Sequence, residues 1–206
     1  MTTTDFRMAN HWWWRPGWNV GRRFYTWHLT FADQPDVHRY VGAHRDALAH
    51  LPGLDPIPNR WLHLTMQGLG FTDDVDERDV QAVVDAARPR LAALPPLHLT
   101  LSQVLVSPEA VVIPAHPAHD VAAVRRALRA AIAEVWPTVP EAEDDFRPHV
   151  SVAYSNTDAP AQPVSQAMSS VTAPPATAPI ATADLIVLHR DRQMYEWETY
   201  AQVPVG

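Results

Sequence analysis

The chain has 206 residues, 47% of them apolar, and a formal net charge of −7 at pH 7. This length predicts one domain with an ample core rather than two independent domains. The acidic charge argues against binding along a long phosphate backbone, which requires a broad cationic surface.

Cysteine and lysine are absent from the sequence, and each absence excludes particular reactions or sites. Without cysteine, the chain has no disulfide, thiolate nucleophile or cysteine metal site. All 16 basic residues are arginines, so the lysyl-nucleotide intermediate of ATP-dependent nucleic-acid ligation cannot form. The sequence has no apolar run near the length of a membrane span, and residues 1–10 lack a signal pattern. We therefore expect a cytoplasmic protein with no membrane contact and no ATP requirement.

Apolar periodicity predicts strands and helices in alternation along the chain. Strands are predicted at residues 24–31, 61–66, 97–106, 110–113, 183–190 and 196–205. Helices are predicted at residues 36–51, 79–94 and 120–136, each from a stripe of apolar residues at helical spacing. Residues 155–183 are rich in Pro, Ala, Ser and Thr, a composition typical of a linker.

Two short segments carry a histidine two residues before a hydroxyl side chain: His63-Leu64-Thr65-Met66 and His149-Val150-Ser151-Val152. Because side chains alternate along a strand, each segment presents one imidazole and one hydroxyl on the same face. Two such strands facing each other would form a site for a phosphate group. At neutral pH one imidazole can accept a proton while the other donates one. This arrangement suits metal-free phosphodiester chemistry.

The sequence around both segments resembles the two motifs of the two-histidine (2H) phosphoesterase superfamily. Residues 60–71 (RWLHLTMQGLGF) are similar to the first motif, H-x-T/S-x followed by a short glycine-containing turn. Residues 146–154 (FRPHVSVAY) are similar to the second, in which a proline commonly precedes the histidine. The separation of 86 residues (149 − 63) suits the helices and strand expected between them. Within the superfamily, residues 24–205 most resemble the bacterial 2′-5′ RNA ligase family, whose members act mainly as RNA 2′,3′-cyclic phosphodiesterases.

The resemblance implies an α+β fold of two pseudo-symmetric lobes. Each lobe would be an antiparallel sheet backed by helices, with the active-site cleft between the sheets. We therefore expect a single bilobal domain at residues 24–206, preceded by a Trp/Arg-rich arm at residues 1–23. The resemblance also implies a short helix at residues 164–171.

The implied reaction opens a 2′,3′-cyclic phosphate of RNA or a nucleotide, or reversibly cleaves and joins a 2′-5′ phosphodiester, with no metal or other cofactor. His63 and His149 would transfer the protons, with a preference for His63 as the acid. Thr65 and Ser151 would bind the non-bridging oxygens. The residues expected to bind substrate are Arg147, Arg60, Tyr154, His28 and His98. The expected partners are RNA ends or small cyclic-phosphate nucleotides, and the oligomeric state stays open. The alternative is a non-catalytic RNA- or nucleotide-binding module with the same fold.

His28 and His98 are included because each lies in a His-Leu-Thr triplet on a predicted strand. In each strand the residues flanking the histidine are apolar and should pack against the helices, which turns the imidazole to the opposite face. This alternation predicts that both side chains line the same cleft as His63 and His149, as satisfied wall residues or as substrate contacts.

Three features leave alternatives open. Trp12, Trp13, Trp14 and Trp18 crowd into seven residues, and they could fill the core or stack on a base. His116 and His119 could bind a metal or belong to the turn before a helix. Seven arginines could hold an anion or be solvated surface: Arg15, Arg22, Arg23, Arg60, Arg147, Arg190 and Arg192.

Overall fold

The computed structural model describes residues 6–206. Its strands are β1 (Arg7–Met8), β2 (Phe24–Thr30), β3 (Leu54–Pro56), β4 (His63–Phe71), β5 (Leu97–Leu101), β6 (Leu105–Val106), β7 (Ala110–His116), β8 (His149–Ser155), β9 (Ala159–Pro160), β10 (Ala176–Ile180), β11 (Thr182–His189) and β12 (Glu196–Pro204). Its helices are α1 (Pro35–Leu48), α2 (Glu77–Ala92), α3 (Ala118–Val135) and α4 (Gln162–Ser170), and a 3₁₀ turn spans Asn59–Trp61.

Two antiparallel sheets form the two lobes. The first has the strand order β12-β11-β2-β4. The second has the order β10-β5-β7-β8-β3, with β6 also paired to β7. The two motif strands, β4 and β8, contact each other although they belong to different sheets. The predicted α+β fold with a cleft between two sheets is confirmed.

The helices cross between the lobes. α2 packs against α3 and β12, and α3 also contacts β4, so this pair covers the first sheet. α1 and α4 pack together, and α1 contacts β8 and β10 of the second sheet. Because α1 follows β2 of the first sheet and α3 follows β7 of the second, each connection ties one lobe to the other. One continuous apolar core results.

Local sequence explains α2, one of the two helices that cover the first sheet. The side chain of Asp76 accepts a hydrogen bond from the Arg78 backbone N–H and caps α2. The apolar stripe predicted for α2 is buried, from Val80 to Leu91. Among residues 6–206, no helix is long and apolar enough to cross a membrane.

Several predicted boundaries are corrected. The strand expected at 97–106 is divided into β5 and β6. The segment with linker composition contains α4, close to the helix implied by the resemblance, and then β10. The predicted glycine turn after the first motif is absent from the described chain, because β4 continues through Gly68 and Gly70 to Phe71. A Cβ atom at Gly68 would lie 2.6 Å from Oε1 of Glu141 and 2.8 Å from Cε1 of Phe24. Any side chain at position 68 would therefore be too close to Glu141 and Phe24 in their present positions.

Candidate active site

A cavity of about 820 Å³ lies between the two sheets. Its wall includes His63 and Thr65 from β4 and His149 and Ser151 from β8. The structure thus brings together the four side chains that the two motifs place on strand faces, 86 residues apart (149 − 63) in the chain.

The two motif histidines have equivalent hydrogen bonds. Nδ1 of His63 lies 2.8 Å from the carbonyl oxygen of Trp61, and Nδ1 of His149 lies 2.7 Å from that of Arg147. A carbonyl oxygen only accepts, so both Nδ1 atoms carry hydrogen and donate. Nε2 is then the nitrogen of each ring that can exchange a proton with a substrate. The backbone two residues before each histidine therefore sets the same tautomer in both lobes.

The two histidines differ in exposure. His63 is buried, and this burial lowers its pKa to about 4, because the charged imidazolium loses its hydration; the nearby His149 acts in the same direction. His149 is exposed to the cleft. At pH 7 the His63 ring is therefore neutral, with a lone pair on Nε2.

His28 lies directly against His63. The two rings are stacked with centroids 4.4 Å apart and an interplanar angle of 3°. Nε2 of His28 is 3.3 Å from Oγ1 of Thr65, its cross-strand neighbour. The pKa of His28 is well below its usual value because of burial and the adjacent His63. His28 therefore contacts both functional groups of the first motif, the imidazole and the hydroxyl.

A hydrogen-bonded group of four side chains forms one side of the cavity: His11, Arg15, Glu109 and Tyr195. Nδ1 of His11 lies 3.0 Å from Oε2 of Glu109, and its Nε2 lies 3.0 Å from the Tyr195 hydroxyl. Burial and the charge of Arg15 lower the pKa of His11 to about 4, so this ring is also neutral. Because the carboxylate only accepts, Nδ1 donates to Glu109 and the Tyr195 hydroxyl donates to Nε2. Arg15 then donates to the Tyr195 oxygen (3.1 Å) and to Glu109 (2.9 Å).

This group joins both lobes through the arm. Glu109 lies at the β6–β7 turn of the second sheet, and Tyr195 in the β11–β12 connection of the first. His11 and Tyr195 are 184 residues apart in the chain. No local pattern in the sequence predicts this contact, and the role of His11, Glu109 and Tyr195 in the wall was missed.

Three of the five expected substrate-binding residues line the cavity: Arg147, Tyr154 and His28. Arg147 is exposed, as a side chain that meets a ligand must be. Tyr154 is buried and one ring face is covered by His11, with centroids 4.2 Å apart and an interplanar angle of 13°. His28 is only 1% exposed, which leaves it little surface for a substrate.

The expected placement of His98 and Arg60 is wrong. Within residues 6–206, neither belongs to the cavity wall. His98 does alternate with the buried Leu97 and Leu99, but it pairs with Pro179 of β10, away from β8, and there its face is exposed to solvent. Arg60 is exposed on the 3₁₀ turn, with its guanidinium 5.0 Å from the Trp61 ring centroid. Strand alternation predicts the face of the sheet on which a side chain lies, but not which part of the protein covers that face.

The remaining arginines have other partners. Arg22 pairs with Asp73 and Asp74, Arg23 with Asp191, and Arg192 with Glu196. Arg190 is buried beneath the arm. Among the seven candidates, only Arg15 and Arg147 contribute to the wall of the cavity within the part of the chain that the structure describes.

His116 and His119 lie at the end of β7 and the start of α3. The His119 side chain is 82% exposed and its Nε2 lies 3.0 Å from Asp120. In the described range, no group of three or more His, Cys, Asp or Glu side chains is arranged to hold a metal ion.

Two antiparallel sheets that present a His–hydroxyl pair each to a shared cavity define a 2H phosphoesterase-type protein. Residues 31–192 match the family model described as the 2'-5' RNA ligase superfamily, and the chain belongs to this superfamily. No curated protein matches the chain.

Solved structures share the fold. TT0787 of Thermus thermophilus has a TM-score of 0.67 and 17% identity, over 89% of this chain and 97% of that one. A crystal structure described as a phosphoesterase has a TM-score of 0.63 and 18% identity, over 89% and 98%. E. coli LigT complexed with 3'-AMP has a TM-score of 0.62 and 19% identity, also over 89% and 98%. At these identities the likeness establishes the fold.

Proposed function

We propose that the protein is a metal-independent phosphodiesterase that opens the 2′,3′-cyclic phosphate of an RNA end or a nucleotide. The observation that carries this proposal is the matched pair of histidines, each with Nδ1 donating to the carbonyl two residues earlier. General acid–base catalysis of this reaction needs one proton acceptor and one donor, and both are imidazoles here. E. coli LigT, which shares the fold, was crystallised with 3'-AMP, the kind of monophosphate that such an opening yields.

In the proposed mechanism, His63 is the general base. Its lowered pKa keeps it neutral, so Nε2 can take the proton of the attacking water. His149 then donates a proton to the ribose oxygen that leaves phosphorus. This assignment reverses the preference drawn from the sequence, which had no information about burial. If the 5′-hydroxyl of a second ribose attacks in place of water, the same proton transfers break the bond from phosphorus to the 3′-oxygen and join the two ends through a 2′-5′ bond without ATP.

Thr65, Ser151 and Arg147 bind the phosphate in this mechanism. Thr65 and Ser151 lie in the same wall as the two imidazoles, where hydroxyl donors can stabilise charge on the non-bridging oxygens. Arg147 adds the guanidinium that suits a phosphate anion. Its own backbone carbonyl accepts the hydrogen bond from His149, so the cation and the acid are positioned by one segment.

The test is turnover of 2′,3′-cyclic AMP and of an RNA ending in a 2′,3′-cyclic phosphate, each with and without EDTA. We expect a monophosphate product from both substrates at equal rates in the two conditions. Loss of turnover in EDTA with recovery on adding a divalent ion would contradict the metal-independent mechanism and direct attention to His116 and His119. Binding of both compounds without any product would instead support the non-catalytic binding module.

A further inference from the structure

The arm, residues 6–23 of the described chain, forms part of the catalytic cavity although it precedes the family match at residues 31–192. His11, Arg15 and Trp18 all belong to the cavity wall. The four crowded tryptophans of the arm have different environments. Trp12 is buried, Trp13 and Trp14 are each 50% exposed, and Trp18 is half-buried.

The arm is anchored from beneath by Arg190. Its Nη2 donates to the carbonyl oxygens of His11 (3.2 Å) and Trp13 (3.1 Å). Its guanidinium lies 5.4 Å from the ring centroid of Trp12 and 5.7 Å from that of Trp14, within the range of cation–π attraction. The arm also pairs through β1 with β9. Its cavity-facing residues are therefore held in place by the folded domain.

Among residues 6–206, four aromatic side chains other than histidine line the cavity: Trp18, Phe24, Tyr154 and Tyr195. Tyr154 is buried, with one face covered by His11. The hydroxyl of Tyr195 is shared by His11 and Arg15, and its ring is nearly perpendicular to His63. This leaves Trp18 and Phe24, both half-buried, as the aromatic surface that can meet a ligand.

Trp18 is the larger of these two rings and is supported from behind. Its centroid lies 5.5 Å from that of Phe24 and 5.1 Å from that of Phe71, and Phe71 meets it edge to face. A rigid indole in the wall of a phosphate-binding cavity matches the way proteins hold nucleobases, since every base presents a π-face for stacking.

We infer that Trp18 forms a nucleobase-binding subsite, and that the ligand is the base of the nucleotide whose phosphate occupies the His–hydroxyl site. The inference rests on the proposed function and adds the residue that recognises the base. It predicts that a cyclic phosphate with a base is preferred over one without a base. The arm, rather than the motifs, supplies this preference.

The experiment compares two substrates, 2′,3′-cyclic AMP and the 2′,3′-cyclic phosphate of 1-O-methylribose, which has no base. The variants are Trp18→Leu, which keeps an apolar side chain without a π-face, and Trp18→Phe, which keeps a ring. Val20→Ala is the control, because Val20 is an exposed apolar residue of the same arm and does not belong to the described cavity wall. Thermal unfolding of each variant verifies that the fold persists.

For Trp18→Leu we expect KM for cyclic AMP to rise roughly 10- to 100-fold, as loss of one stacked base predicts, with kcat little changed. The base-free substrate should be turned over as by the wild type. Trp18→Phe should retain most of the affinity, and Val20→Ala should retain all of it. Equal losses on both substrates, or no loss on cyclic AMP, would overturn the subsite. Absence of wild-type activity on both substrates would instead refute the proposed function.

Discussion

The imidazole rings of His28 and His63 lie parallel, with centroids 4.4 Å apart. The same His28 places Nε2 3.3 Å from Oγ1 of Thr65. Strand alternation predicted that His28 shares a face with the first motif, and this placement is as expected. Its near-complete burial changes the role that we assign to it, from a substrate contact to a residue that positions His63 and Thr65.

His28→Leu should therefore lower kcat by about 10-fold, the worth of one hydrogen bond that orients a catalytic group, and leave KM nearly unchanged. A direct substrate contact, the role expected of His28 from the sequence, would instead raise KM more than it lowers kcat. Steady-state kinetics on 2′,3′-cyclic AMP distinguishes the two. His28→Gln, which can still hydrogen-bond to Thr65, should recover part of the loss; a rise in KM alone would restore the substrate-contact interpretation.

His63→Ala and His149→Ala should each reduce kcat by about 10²- to 10⁴-fold, because each removes one proton transfer. The fold should persist, as judged by circular dichroism. His98→Ala is a suitable control, because His98 is exposed outside the described cavity wall and should leave kcat unchanged. Wild-type rates in either motif variant would reject the two-histidine mechanism.

Thr65→Val and Ser151→Ala should each lower kcat by about 10²-fold, if their hydroxyls stabilise the charge that develops on phosphorus oxygens. Both substitutions remove a hydroxyl while changing little volume. Measuring kcat for each variant and for the double variant tests the assignment. Unchanged rates in both single variants would limit these hydroxyls to a structural role.

The pH dependence of kcat/KM should report the unusual state of His63. A general base is active in its neutral form, and the His63 pKa of about 4 keeps it neutral down to mildly acidic conditions. The acid limb of the profile should therefore fall near pH 4, well below the value of about 6.5 for an ordinary histidine. A fall centred near pH 6.5 would contradict the assignment of the buried His63 as the base.

The sequence predicted the motif residues and the sheets because both depend on local periodicity. His63 and Thr65 share one face of β4, and His149 and Ser151 share one face of β8, because side chains alternate along a strand. That the two faces line one cavity was implied by the resemblance to the 2H phosphoesterases, not by the alternation. The wall formed by His11, Glu109 and Tyr195 could not be predicted, since it joins three distant segments. The prediction for His98 was wrong for a related reason. Alternation gave the correct face of β5, but the position of β5 next to β10, which leaves that face in solvent, depends on tertiary structure.

Acid should destabilise the protein through its buried neutral histidines. His11 and His63 have pKa values of about 4 when folded, and that of His28 is also depressed. In the unfolded chain each titrates near 6.5, so as the pH falls from 6.5 towards 4 the unfolded state takes up protons that the folded state excludes. The stability due to these groups is complete above pH 6.5 and decreases below it, by up to about 1.4 kcal/mol per pH unit for each histidine.

Urea unfolding at several pH values should reveal this dependence of the unfolding free energy on pH. His28→Leu should reduce the slope by the contribution of one histidine. The same slope in His28→Leu as in the wild type would contradict the neutral, buried state of His28.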